Sequence, residues 1–241
     1  VNQGADLVVT PELSITGYPP LDLIFAGEFV ARNLETLAGI QAAIGEVPLL
    51  VGFIDRNLSG QGKPFHNAAA LLCKGAEPVI IHKRLLPTYD VFDEARYFEP
   101  GQVSGPIEIA GKKVGITICE DLWTQEFLPG PLYRVDPPAD LVNGGAEILI
   151  NLSASPYHYG KPTRRLQMLH AQAKRFGLPI YYCNSVGGND QLVFDGHSSV
   201  FSARGKRVQE MLGFGEQLLV IEEPTDAFHG DGRDQLGELY R

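Results

Sequence analysis

Short apolar runs dominate the chain, separated by polar, glycine-rich breaks. Residues 6–10, 48–54, 67–73, 78–82, 107–110, 113–118, 146–152, 178–184, 198–202, 207–211 and 218–222 read as strands. Residues 74–77, with Gly75, and the pair Gly111 and Lys112 separate such runs and predict hairpins. The polar, glycine-rich stretch 57–65 predicts a hairpin tip. Three segments carry the helical period instead. Residues 21–44 place Leu34, Leu37 and Ile40 at helical spacing. Residues 136–143 have proline in the first turn. Residues 161–176 align Leu166, Leu169 and Ala173 on one face, closed by Gly177. Residues 85–101 form a long irregular stretch rich in aromatics and carboxylates. Residues 187–190, GGND, predict a polar turn. Strands and helices alternate with hairpins interspersed, which indicates an α/β protein with mixed sheets covered by helices. No internal repeat is present.

The opening residues look like the end of a helix, and the closing residues look like the start of another. Both ends therefore look like cuts through a longer polypeptide. The expected organisation is one domain over 1–223, with 224–241 as a linker.

Composition narrows the function class. A chain of 241 residues can bury a substantial core. Its net charge of −9 argues against a nucleic-acid-binding surface, because Lys/Arg pairs are few and scattered. Three cysteines without CxxC spacing argue against a disulfide framework or a structural zinc site. No apolar run reaches membrane-span length, and no signal segment opens the chain. The expected location is the cytoplasm, away from membranes.

Chemistry enters at KKVGITICEDLW, residues 112–123. Val114, Ile116 and Ile118 alternate as a strand, which ends at Cys119, Glu120 and Asp121. Read alone, Cys119 is equally a buried core thiol or a nucleophile. Two further strand ends carry one reactive group each, Glu12 and Lys83. Strand ends on one edge of a sheet converge, and sites assemble there in α/β folds. A carboxylate can take a thiol's proton, and a lysine with a backbone N–H can hold an oxyanion. The trio is thus chemically complete for acyl transfer through a thioester. Taken singly, Glu12 reads as a surface acid and Lys83 as a strand-end lysine. Cys73 and Cys183 read as core, and the histidines as solvated or structural.

The segments PELSITGYPP (11–20), KRLLPTYDVFDEARYF (83–98) and CEDLW (119–123) resemble the signature blocks of the nitrilase (carbon–nitrogen hydrolase) superfamily. More narrowly, they resemble the glutaminase domain of glutamine-dependent NAD⁺ synthetases. The likeness continues through NLSASP (151–156), NSVGGND (184–190) and FDGHS (194–198), and so covers nearly the whole chain. It implies an αββα sandwich of two mixed sheets between helical layers, assembled into homo-oligomers. It implies Cys119 as nucleophile on the glutamine side-chain amide, Glu12 as general base and then acid, and Lys83 with the Glu120 N–H at the oxyanion. Glu94 matches a carboxylate that orients the lysine. Tyr89, Glu120, Ser155 and Lys161 fall where the family holds the glutamine amino and carboxylate groups. The family also places arginine at position 161, and lysine lacks its bidentate fork. Asp121 carries no specific role beyond shaping its turn.

By the same resemblance, the step needs no cofactor or metal. ATP and Mg²⁺ belong to a synthetase domain that this chain lacks, and the first strand and helix of the family fold are also missing. A free-standing amidase for another small amide stays open, as does a non-catalytic oligomerisation module of the same fold.

Overall fold

The computed structural model describes residues 3–123, 125–222 and 224. In chain order the strands are β1 Val8–Val9, β2 Leu49–Arg56, β3 Phe65–Leu72, β4 Val79–His82, β5 Ile107–Ile109, β6 Lys112–Ile118, β7 Ile148–Ser153, β8 Ile180–Asn184, β9 Val186–Asn189, β10 Leu192–Asp195, β11 Ser199–Phe201 and β12 Arg207–Glu210. The α-helices are α1 Phe29–Ala43, α2 Glu94–Tyr97, α3 Pro137–Asn143 and α4 Lys161–Phe176.

A four-stranded sheet has the order β1-β2-β3-β4, with β1 parallel to β2 and the other pairs antiparallel. A six-stranded sheet has the order β12-β11-β8-β7-β6-β5, parallel at its centre from β6 to β8 and antiparallel outside it. Strands β9 and β10 form a separate ribbon.

The period of two decides what each face meets. Leu50, Ala69, Leu71 and Ile81 of the smaller sheet share a buried cluster with Val114, Ile116, Ile118, Ile150 and Leu152 of the larger one. The two sheets therefore pack face to face. The intervening residues Val51, Phe53, Ala68, Ala70 and Leu72 turn outward onto Leu34, Leu37 and Ile40 of α1. On the far side of the larger sheet, Leu149, Ile180 and Tyr182 meet Leu141 of α3 and Met168, Leu169 and Ala173 of α4. This is the expected αββα sandwich. Strands buried on both faces lose the polar half of their alternation, which is why residues 68–72 read as a continuous apolar run.

Helix α4 keeps its predicted limits because both ends are punctuated. Gly160 and Gly177 adopt left-handed φ of 85° and 63°, and Lys174 and Arg175 occupy the last turn. Helix α3 starts where the Asp136 carboxylate accepts from the Ala139 N–H at 3.1 Å, followed by two prolines. Three expectations change. Residues 21–44 divide into a 3₁₀ turn, Leu21–Phe25, and α1, because Ala26 is extended just before Gly27. Residues 187–189 lie within β9, paired to β10, so the turn contracts to Asp190 and Gln191. Residues 218–222 form no strand; Leu218 is 81% exposed, so the apolar run is not taken into a buried face. Of the expected linker, residues 225–241 lie outside the described residues. Among the described residues, no helix is long and apolar enough to cross a membrane.

Candidate active site

Strand β1 is parallel to β2, and β2, β3 and β4 alternate in direction. Strands β1 and β4 therefore end at the same end of the smaller sheet. Glu12 lies just beyond β1, and Lys83 directly follows β4. Cys119 directly follows β6 of the other sheet and opens the 3₁₀ turn Cys119–Leu122. The three groups are thus divided between the two sheets, not set along one edge as the sequence suggested.

β1 and β4 are separated by β2 and β3, a span of about 14 Å at ordinary strand spacing. Glu12 crosses that span because its loop folds over β2 at Gly52. A Cβ on Gly52 would stand 2.5 Å from the Pro11 carbonyl oxygen and 2.4 Å from the Leu13 nitrogen. Glycine is what permits this approach.

At the centre, Lys83 Nζ donates to Glu12 Oε1 at 2.7 Å and to Glu94 Oε1 at 2.6 Å. All three side chains are buried. Further donors surround the carboxylates. The Tyr18 hydroxyl reaches Glu94 Oε1 at 2.9 Å. Asn67 Nδ2 reaches Glu12 Oε1 at 2.7 Å and Glu94 Oε2 at 3.4 Å. The Ala154 N–H, just past β7, reaches Glu12 Oε2 at 2.9 Å, so Glu12 bridges both sheets. Burial alone would depress the Lys83 ammonium, but Glu12 and Glu94 outweigh it and hold the group well above its usual range. Burial, reinforced by the Glu12 charge and opposed by Lys83, pushes Glu94 up to about 7.

Cys119 sits at φ +47°, a left-handed conformation that costs a non-glycine residue on the order of 1 kcal/mol or more. Burial pushes its thiol far above the ordinary range; the negative charge of Glu12 adds to this and Lys83 opposes it. At neutral pH the resting group is therefore S–H, and attack needs a base at the moment of reaction. Among the surrounding charges, that of Glu12 acts most strongly on the thiol. Asp121 has a definite structural task. Its Oδ1 accepts from the N–H groups of Arg84 and Leu85 at 2.9 and 2.8 Å, and its Oδ2 from that of Ile118 at 3.1 Å. It ties the segment after Lys83 to the turn that carries Cys119. Burial raises its carboxyl to about 6 against those three donors.

Beside the thiol lies a second polar group. The Tyr89 hydroxyl donates to Glu120 Oε1 at 2.9 Å, and the Tyr133 hydroxyl to the same oxygen at 3.1 Å. Burial raises the Glu120 carboxyl, against Lys83 and the two phenols. Lys161 Nζ lies 4.5 Å from the centre of the Trp123 ring. Burial lowers Lys161, while the charges of Cys119 and Glu120 pull it back up. Ser155 is held from another side, its N–H donating to Asn184 Oδ1 at 2.9 Å. An open cleft of about 550 Å³ shares Trp123 and Tyr133 with this group and runs along Arg134, Asp136 and Arg175. That cleft lies beside Cys119 and does not contain it.

All eight predicted residues thus lie at this end of the sandwich. Glu12, Lys83 and Glu94 form one hydrogen-bonded cluster, Cys119 stands against it, and Tyr89 joins Glu120. Sequence reasoning missed Tyr18, Asn67, Tyr133 and the Ala154 N–H. Asn67 left a signal: an amide at the start of the apolar run 67–73. Tyr18 was inside a recognised block but read as a turn residue. Tyr133 left no signal. Among the described residues, no cluster of side chains could hold a metal ion.

The profile of the carbon–nitrogen hydrolase family matches residues 1–224. A glutamine-dependent NAD(+) synthetase of Synechocystis sp. is 42% identical over 224 residues, covering 91% of this chain and 40% of the relative. One from Thermotoga maritima is 40% identical, covering 93% and 37% respectively. The chain therefore spans about two fifths of the length of these curated relatives. Among solved structures, the glutamine-dependent NAD⁺ synthetase of Acinetobacter baumannii, in complex with ADP, superposes with a TM-score of 0.80 at 34% identity. That match covers 90% of this chain and 38% of the other. An amidase of the nitrilase superfamily from Nesterenkonia AN1, 24% identical with a TM-score of 0.71, shares the fold.

Proposed function

The chain belongs to the carbon–nitrogen hydrolase family, and from that premise we propose that it hydrolyses the side-chain amide of glutamine through a thioester on Cys119. Glutamate and ammonia are the products. The ammonia serves an ATP-dependent amidation of nicotinate adenine dinucleotide by a synthetase part of the same, longer polypeptide. One observation carries this reading: a buried lysine clamped between two carboxylates, against a buried thiol, with Glu120 and Lys161 alongside.

Glu12 takes the Cys119 proton as Sγ bonds to the amide carbon. The amide oxygen becomes an oxyanion facing Lys83 Nζ and the Glu120 N–H. Glu12 returns the proton to the departing nitrogen, the C–N bond breaks, and ammonia leaves. A water then attacks the thioester, Glu12 takes its proton, and the C–S bond breaks. Cys119 recovers a proton and glutamate is released. Glu94 keeps Lys83 in place throughout. The Glu120 carboxylate, oriented by Tyr89 and Tyr133, receives the substrate's α-ammonium; Lys161 and Ser155 receive its α-carboxylate. Side chains and water complete this sequence, and ATP and Mg²⁺ serve only the synthetase step. The relatives, named as NAD(+) synthetases dependent on glutamine, support the choice of glutamine over another small amide.

Cys119→Ala lowers glutamine-dependent ammonia release by on the order of 10³-fold or more. In the longer polypeptide it leaves synthesis from free ammonia largely intact. Glutamate formation at the parent rate by Cys119→Ala protein would refute the assignment. A panel of glutamine, ω-amides and aliphatic amides separates this reading from that of a free-standing amidase, which would prefer a substrate other than glutamine.

A further inference from the structure

We infer that Asn67 is a positioning residue of this site, its side-chain amide fixing the spacing of the two carboxylates that share Lys83. The inference rests on the acyl-transfer reading of the cluster, and not on glutamine as the substrate. Asn67 touches all three members. Its Nδ2 donates to Glu12 at 2.7 Å and to Glu94 at 3.4 Å, and its main-chain carbonyl accepts from the main-chain N–H of Lys83 at 2.8 Å, which fixes the two residues' register. A primary amide has two N–H groups and so can serve two carboxylates at once. Its orientation is dictated by them: a flipped amide would set oxygen against Glu12 Oε1 at 2.7 Å. The cost of that orientation is visible, because Asn67 Oδ1 is buried and meets no donor among the described residues. Asn67 is 1% exposed and acts through Glu12, Glu94 and Lys83.

The charged groups around the amide come from separate elements: Glu12 after β1, Lys83 after β4, Glu94 in α2, and Cys119 after β6, coupled to the first three. On the opposite face of the same strands, away from the amide, His66 and His82 stack at 4.0 Å, and His82 Nε2 pairs with Asp55 at 2.8 Å. Without Nδ2, the carboxylates are held by Lys83 and their outer donors alone, and Lys83 is drawn toward whichever is nearer.

The test compares Asn67→Leu and Asn67→Asp with the parent, by glutamine kinetics and by the rate of Cys119 alkylation with iodoacetamide, across about pH 6–9. Asn67→Leu should lower kcat about 10–100-fold with KM within about twofold, and slow alkylation at every pH. Asn67→Asp is close to isosteric. Protonated, its carboxyl O–H replaces one N–H; ionised, it repels Glu12. Its activity and alkylation should fall steeply toward alkaline pH while the parent's do not. If Asn67→Leu fails to fold, the pH profile of Asn67→Asp decides alone. Parent-like kcat, pH profile and alkylation in the variants, with only a lowered unfolding temperature, would overturn the inference. Alkylation needs no glutamine. If the parent fails to hydrolyse glutamine yet alkylation still depends on residue 67, the substrate reading fails and this inference stands.

Discussion

Burial sets the chemistry of the individual residues. Cys119, Lys83 and Glu94 are taken out of water, so burial and their neighbours together decide their charge states. The consequence for stability is read at Glu94. Its folded-state pKa of about 7 lies above its ordinary value, so the folded protein binds a proton there that the unfolded chain releases. The unfolding free energy therefore falls as pH rises from about 4.5 toward 7. Asp121, raised to about 6, adds a slope of the same sign. Glu94→Gln should flatten this decline, measured as the urea midpoint from acid to neutral pH. A midpoint with the same slope in parent and variant would contradict the placement of that proton. Glu12, Lys83 and Cys119 were legible in the sequence because each ends an apolar run with a reactive group. Asn67 and Tyr133 were not assigned, because their partners Glu12 and Glu120 lie 55 and 13 residues away and the contacts arise only from folding.

Elements decide whether those residues meet. Strands β1 and β4 stand at opposite edges of the smaller sheet, and the Glu12 loop joins them only by crossing β2 at Gly52. Gly52→Ala should displace that loop. The expected cost is about 1–3 kcal/mol of stability from overpacking and a fall in kcat of about 10–100-fold, since small misplacements of a catalytic group are costly. Urea unfolding and glutamine kinetics check both. An unchanged kcat would show that the crossing does not set Glu12. Helix α4 holds Lys161 in its first turn, and Arg165, one turn on, is locked by Asp195 at 2.5 and 3.1 Å in the buried interior. The helix limits were legible from Gly160, Gly177 and the terminal cations. Strand β9 was not, because Gly187 and Gly188 signal a turn locally while pairing with β10 overrides them. Residues 218–222 failed the other way: they are an apolar run of strand length, yet Leu218 and Val220 remain exposed.

At the scale of the molecule, two sheets close over one another and their strand ends complete the site from both sides. Glu12 and Lys83 come from one sheet, Cys119 and the Ala154 N–H from the other. Cys119 itself belongs to the cluster of side chains packed between the sheets. The mixed α/β class was legible from strands alternating with helices, while the αββα sandwich was implied by the family resemblance. The division of the site between its halves was not, because no periodicity records which strands share a sheet. In the proposed function this assembly makes Cys119 the nucleophile toward glutamine, and mass spectrometry after treatment with a diazoketone analogue of glutamine tests it. A single adduct on the Cys119 peptide is expected, suppressed by excess glutamine and absent from Cys119→Ala. No adduct, or an adduct confined to Cys73 or Cys183, would contradict it.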